Sequence, residues 1–134
     1  MTLKELSQLY YLNREIEMDQ RRLEELRIKA DGPSASRLSD MPRNPGTENK
    51  MERYVAEMVD LTVIIHAKQQ QCIHERNRLE RYIGDIDDSL TRMIFTLRFI
   101  NGFSWLAVAD HIGGKNTDKT VSKMCYRYLE KREN

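Results

Sequence analysis

Apolar residues recur along the first thirty positions on alternating three- and four-residue steps: Leu9, Leu12, Ile16, Leu23, Leu26 and Ala30, with Asp19 the single break. That heptad-like spacing predicts an amphipathic helix from about Leu3 to Ala30. A second seam runs through Met51, Tyr54, Met58, Leu61, Ile65, Cys72, Leu79, Tyr82 and Ile86, with gaps at Lys68 and Glu75. Polar and charged residues fill the other positions, so each helix carries one narrow apolar stripe that has to be buried against something. All three prolines, Pro33, Pro42 and Pro45, fall between the seams, with Gly32, Gly46, Ser34, Ser36 and Ser39. Proline removes a backbone donor and clashes with the preceding turn, so 31–47 reads as a linker. At 1.5 Å per residue the two helices would be about 42 Å and about 54 Å long. They can fold back as a long antiparallel, coiled-coil-like hairpin, or pair with another copy of the chain. The unmatched part of the second stripe, near Cys72 to Ile86, either serves a further partner or packs on the C-terminal part of the chain. A homo-oligomer, in the form of a dimer, is the expected state.

Beyond this arm, 1–86, the pattern changes. Gly84, Asp85 and Asp87 end the second helix or mark a bend, and Asp88 or Ser89 can cap the next one. A helix from about Leu90 to Ile100 would place Leu90, Met93, Ile94, Leu97 and Ile100 on one face, and Asn101-Gly102 stops it. Ser104 suits the N-cap of a short helix, Trp105 to His111, whose Leu106 and Ala109, with Val108 and Ile112, would face inward. Gly113-Gly114 permits a sharp turn. The last helix, from near Asp118 to about Lys131, gathers Val121, Met124, Cys125, Tyr128 and Leu129 on one arc. Opposite them lie Lys119, Lys123 and Arg127, four apart, with Thr120, Ser122 and Tyr126 beside them. Cations on one helix face are in themselves an ordinary solvated surface. What points further is the whole unit at 87–134: helix, glycine stop, serine-capped short helix, double-glycine turn, basic-faced helix. That is the layout of a helix-turn-helix, whose second helix offers cations to phosphates and polar groups to base edges of double-stranded DNA. The expected DNA contacts are Asn116, Thr117, Lys119, Thr120, Ser122, Lys123, Tyr126 and Arg127, with Arg98 and Ser104 as phosphate contacts. The fold class is therefore all-α.

Charge supports this division. The net charge is +1, but residues 89–134 carry eight Lys/Arg against four Asp/Glu, while the remainder is slightly acidic. A basic end on an acidic chain fits local contact with a polyanion. No run approaches the length of a membrane span, and the start of the chain does not read as a secretory signal. Cys72 and Cys125 lack CxxC spacing and read as free thiols of a cytoplasmic protein. Enzyme chemistry is not expected: there is no phosphate-cradling glycine loop and no nucleophile elbow. His66 and His74, eight apart without accompanying acids, read as helix-surface residues rather than metal ligands, and His111 as a surface residue or phosphate contact. No metal and no cofactor is expected.

The stretch Leu97-Arg98-Phe99-Ile100-Asn101-Gly102-Phe103-Ser104-Trp105-Leu106-Ala107-Val108-Ala109-Asp110-His111-Ile112-Gly113 resembles region 4 of sigma-70-type factors, and Thr120-Val121 is similar to the pair that opens their recognition helix. The chain as a whole resembles the ArpU-type transcriptional regulators of phages and prophages, which share a long helical first part with a segment like Asp40-Met41-Pro42-Arg43. The resemblance implies control of phage genes at promoters, alone or together with host RNA polymerase. The chain departs from the sigma pattern in two places. Ala107 stands where the glutamate of the short helix is usual, and the turn Gly114-Lys115-Asn116-Thr117 is about two residues longer than in ordinary sigma factors. The competing expectation is a coiled-coil interaction module that docks on polymerase or another protein without touching DNA.

Overall fold

Helix boundaries in this chain are written by short hydrogen-bonding side chains. The computed structural model describes residues 1–31 and 45–133, all of whose regular structure is helical. Helix α1 spans Leu3–Asp31 and α2 spans Pro45–Gly84. Then come α3 (Ser89–Phe95), a π-helical turn (Thr96–Ile100), α4 (Trp105–Ile112) and α5 (Asp118–Glu133). Thr2 and Glu5 close α1 reciprocally. The Thr2 N–H donates to the Glu5 carboxylate at 3.0 Å, and the Glu5 N–H donates to the Thr2 hydroxyl at 3.2 Å. Pro45 begins α2 inside the predicted linker, because a proline in the first turn gives up an N–H that has no helical partner there. The Asp40-Met41-Pro42-Arg43 segment lies outside the described residues.

The chain divides into two compact units, Arg14–Gln70 and Met1–Asn13 with Gln71–Asn134. In the first, Ile16, Leu26, Ala30 and Ile65 are buried as the seams predict, whereas Met51 is 37% exposed. The break in the first seam meets one of the two gaps in the second. The Lys68 ammonium donates to Asp19 at 2.6 Å and lies 3.1 Å from Glu15, and Arg22 faces Glu57 at 3.7 Å. Partner numbers fall on α2 as they rise on α1, the signature of antiparallel contact. Hydrogen bonds to Asp19 and then Glu15 hold Lys68 above the ordinary lysine range. A charged pair among apolar layers fixes which layers face each other.

The second unit has one core drawn from distant parts of the chain: Leu6 and Leu9 of α1, Leu79 and Ile83 of α2, Ile86, then Ile94, Phe95, Leu97, Phe99, Val108, Ala109, Val121, Cys125 and Leu129. The Cys72-to-Ile86 end of the second seam is thus spent inside this unit, where Cys72 and Tyr82 also pack on the core. Asp88 caps α3, its carboxylate accepting from the Thr91 N–H at 3.1 Å and the Thr91 hydroxyl at 2.7 Å. The Thr91 hydroxyl and N–H hold that carboxyl below the usual aspartate range.

The apolar spacing predicts an unbroken α-helix to Ile100. Instead the Asn101 N–H reaches the Thr96 carbonyl, five residues back, at 3.0 Å, and the Phe103 N–H reaches Leu97 at 3.0 Å. The wider turn changes which side chains face inward. Leu97 and Phe99, two apart, are both buried, Phe95 is fully buried, and Met93, expected inside, is 45% exposed. Phe95 is the centre of a ring cluster, with centroids 5.3 Å from Phe99, 5.4 Å from Tyr128 and 6.4 Å from Tyr82. Gly102 leaves the π turn at φ +74°, and a Cβ there would sit 3.7 Å from the Tyr10 ring of α1. Among the described residues no helix is long and apolar enough to cross a membrane.

Candidate nucleic-acid interface

Ser104 caps α4 as its sequence position suggests, its hydroxyl accepting from the Ala107 N–H at 3.2 Å. Val108 and Ala109 are buried, and Ala109 is a core member alongside the inward residues of α5. Leu106, expected inward, is 63% exposed. It falls on the opposite side of this two-turn helix from Val108, so both cannot be buried.

The turn between α4 and α5 uses positive φ at Gly113 (+78°) and Gly114 (+68°), which a β-carbon would strain. Asn116 is half-buried and its side-chain amide donates to the Gly113 carbonyl at 3.0 Å, closing the turn. Thr117 caps α5 in a reciprocal arrangement. The Thr120 N–H donates to the Thr117 hydroxyl at 3.2 Å, and the Thr117 N–H to the Thr120 hydroxyl at 2.8 Å. The spacing of two threonines three apart ahead of Val121 carried this signal in the sequence. Asn116, Thr117 and Thr120 thus each have a local structural partner.

Helix α5 turns its two faces as its periodicity demands. Val121 and Cys125 have no exposure and Leu129 is 6% exposed, while Met124 and Tyr128 are half-buried. Lys119, Lys123 and Arg127 are exposed, and none forms an ion pair among the described residues. Exposed Lys115 precedes them in the turn. Asp118 opens the helix with an acid, and Lys131 and Arg132 follow the exposed Glu130 in its last turn. Ser122 is half-buried and its hydroxyl donates to the Lys119 carbonyl at 3.0 Å, as serine in a helix often does.

Two predicted contacts have inward partners. Arg98 is half-buried. Its guanidinium donates to the Phe103 carbonyl at 2.9 Å and stands 4.6 Å from the centre of the Trp105 ring. Tyr126, 42% exposed, meets the same indole edge-on, with centroids 6.0 Å apart. No sequence spacing announces this group, because its members come from the π turn, the start of α4 and the middle of α5.

Burial pushes the Cys125 thiol up to about 12, against a smaller opposing influence of Arg98. Cys72, half-buried, is also raised by burial, and both cysteines are free. In the folded chain only Cys72 is therefore expected to react with an aromatic disulfide reagent near pH 8, with Cys125 reacting only after denaturation. A prompt release of two thiolates from native protein would contradict the burial of Cys125.

Among the described residues there is no cluster of His, Cys, Asp or Glu that could hold a metal ion. No family model, curated protein or solved structure matches the chain.

Proposed function

We propose that this protein is a sequence-specific DNA-binding transcriptional regulator, of phage or prophage genes by its resemblance, acting at promoters alone or with host RNA polymerase. On this reading α4, the glycine turn and α5 form a helix-turn-helix of the sigma-70 region 4 kind. Helix α5 enters the major groove. The two long helices form a coiled-coil-like hairpin, which the antiparallel ion pairs of Lys68 and Arg22 support, and on this proposal that hairpin serves as a dimerisation arm. The observation that carries the proposal is the division of α5: Val121, Cys125 and Leu129 are sealed in the core while Lys119, Lys123 and Arg127 point outward without ion-pair partners among the described residues. Exposed cations four apart suit the phosphates flanking a groove. The Thr120 and Ser122 hydroxyls already donate to the Thr117 and Lys119 carbonyls, so toward a base edge they can only accept. A dimer would read half-sites about one helical turn apart or a multiple of that.

Neutralising phosphates releases counterions, so duplex affinity must fall steeply with salt. Lys123→Ala and Arg127→Ala are each expected to weaken duplex binding and to lower the salt slope by about 1, as loss of one phosphate contact does. Lys50→Ala, on the exposed surface of α2, changes neither. Unchanged affinity in both α5 variants, in a gel shift at two salt concentrations, removes α5 from the interface.

One observation favours a second reading. Leu106 is 63% exposed on α4, an apolar group free to anchor a protein partner such as polymerase. If docking on protein were the whole function, Leu106→Ala would abolish partner binding and no duplex affinity with steep salt dependence would exist.

A further inference from the structure

Arg98 differs from the cations of α5. Lys119, Lys123 and Arg127 are solvent-facing, but Arg98 is half-buried and ties three segments together. It starts in the π turn, its guanidinium crosses the Asn101-Gly102 bend to hold the Phe103 carbonyl at 2.9 Å, and it covers the indole of Trp105 at 4.6 Å. Trp105 is the first residue of α4, and its other ring neighbour, Tyr126, is on α5. A cation over an indole and an edge-on aromatic pair both have preferred geometry, unlike an aliphatic contact that tolerates sliding. The stack also lies on the outer flank of the α4–α5 pair, where Tyr126 is 42% exposed, rather than in the apolar core. Core residues hold the two helices together, and this flank adds contacts whose geometry depends on how α5 is rotated and tilted against α4.

We infer that Arg98 is a positioning residue for the DNA-reading helix, setting through Trp105 and Tyr126 the angle at which α5 presents its polar face, and that it makes no phosphate contact itself. This rests on the proposed DNA-binding function. It gives Arg98 a role in discrimination between sequences, where a phosphate contact would add to affinity for all of them.

The two roles separate in one experiment. The full chain is first used to select a tight-binding duplex from a random pool, and a scrambled duplex of equal composition serves as the reference. Arg98→Lys keeps the charge and loses the planar cover over Trp105. Its affinity for the selected duplex should fall about tenfold or more, the scale of one mismatched base pair, with scrambled-duplex affinity and salt slope unchanged. Trp105→Phe, which keeps a ring beneath the guanidinium, should retain most of the discrimination, and Trp105→Ala should lose it. Tyr126→Phe keeps the ring edge without the hydroxyl and should preserve the selected-to-scrambled ratio, a check that holds even if Arg98→Lys folds poorly. The inference is overturned by equal losses on both duplexes together with a salt slope lower by about 1 in Arg98→Ala, which would make Arg98 a phosphate ligand. It is also overturned by a ratio that drops in Tyr126→Phe while Trp105→Ala discriminates like the unmodified chain, because discrimination would then come from the hydroxyl and not from the stack. If the unmodified chain binds no duplex at all, the DNA-binding proposal itself has failed and this inference falls with it. An unmodified chain that discriminates, beside an Arg98→Lys variant that discriminates equally well, refutes the positioning role alone.

Discussion

A chain that begins at Arg14 is expected to lose its folded C-terminal helices and, with them, the proposed duplex binding. Leu6 is fully buried and Leu9 is 4% exposed, both in the same core as Val108, Val121 and Cys125. Truncating one buried leucine to alanine costs about 2–5 kcal/mol, so removing two outright costs about 4–10 kcal/mol. Whole-protein stability is typically about 5–15 kcal/mol, so the loss is of the same order as the whole. The Thr2–Glu5 capping pair and the Glu5–Arg78 ion pair, 3.5 Å apart, go as well. Circular dichroism should show a shallow melt in place of a cooperative one, and a gel shift should show no specific complex. A truncated chain that melts cooperatively and binds DNA like the intact protein would establish that the segment from Gln71 onward folds without Met1–Asn13.

The second large effect is at Phe95. Its ring is completely buried and packs among the rings of Tyr82, Phe99 and Tyr128, so alanine leaves a cavity between them. Phe95→Ala should cost about 3–5 kcal/mol and lower the melting temperature by roughly 10–20 °C. The loss should track unfolding: at low temperature the variant that remains folded should bind duplex with unchanged salt dependence, because Phe95 supports the fold and takes no part in the cationic face. A melt within about 2 °C of the unmodified chain would place Phe95 outside the core, since shifts that small correspond to ~1 kcal/mol or less.

Phe95 also shows where sequence pattern stops being informative. The seams of α1 and α2 were legible because a long repeat averages over local exceptions, and Leu9, Leu12, Ile16, Leu26, Ile65 and Leu79 are buried as the spacing requires. Even the breaks carried meaning, since Asp19 and Lys68 face each other at 2.6 Å. The caps at Asp88 and Ser104 were legible because a cap is a local interaction of one side chain with an N–H two or three residues on. The π turn was not, because a 3.6-residue projection of 90–100 gives a plausible apolar face of its own. That projection puts Met93 inside and misses Phe95 and Phe99. Leu106 is misplaced because two turns of helix are too few to tell one face from two.

The candidate interface divides along the same line. The basic face of α5 follows from period and polarity within one helix, and Lys119, Lys123 and Arg127 are exposed as expected. The partners of Arg98, Asn116 and Tyr126 depend on how separate segments meet, which no local spacing encodes. Both glycine turns were visible, and the role of the longer one became clear only from the Asn116 amide folding back onto Gly113 at 3.0 Å.

The core of the second unit has a temporal consequence. It joins Leu6 and Leu9 to Val121, Cys125 and Leu129, so more than a hundred residues separate its first and last members. During translation at about 5–20 residues per second, the opening leucines wait on the order of 6–24 s for the residues that complete their surroundings. The nascent chain must carry them unburied for that interval, and the closing step is a long-range one that is intrinsically slow. A messenger broken anywhere before the codon for Val121 therefore yields a polypeptide with this core open, a substrate for quality-control proteases.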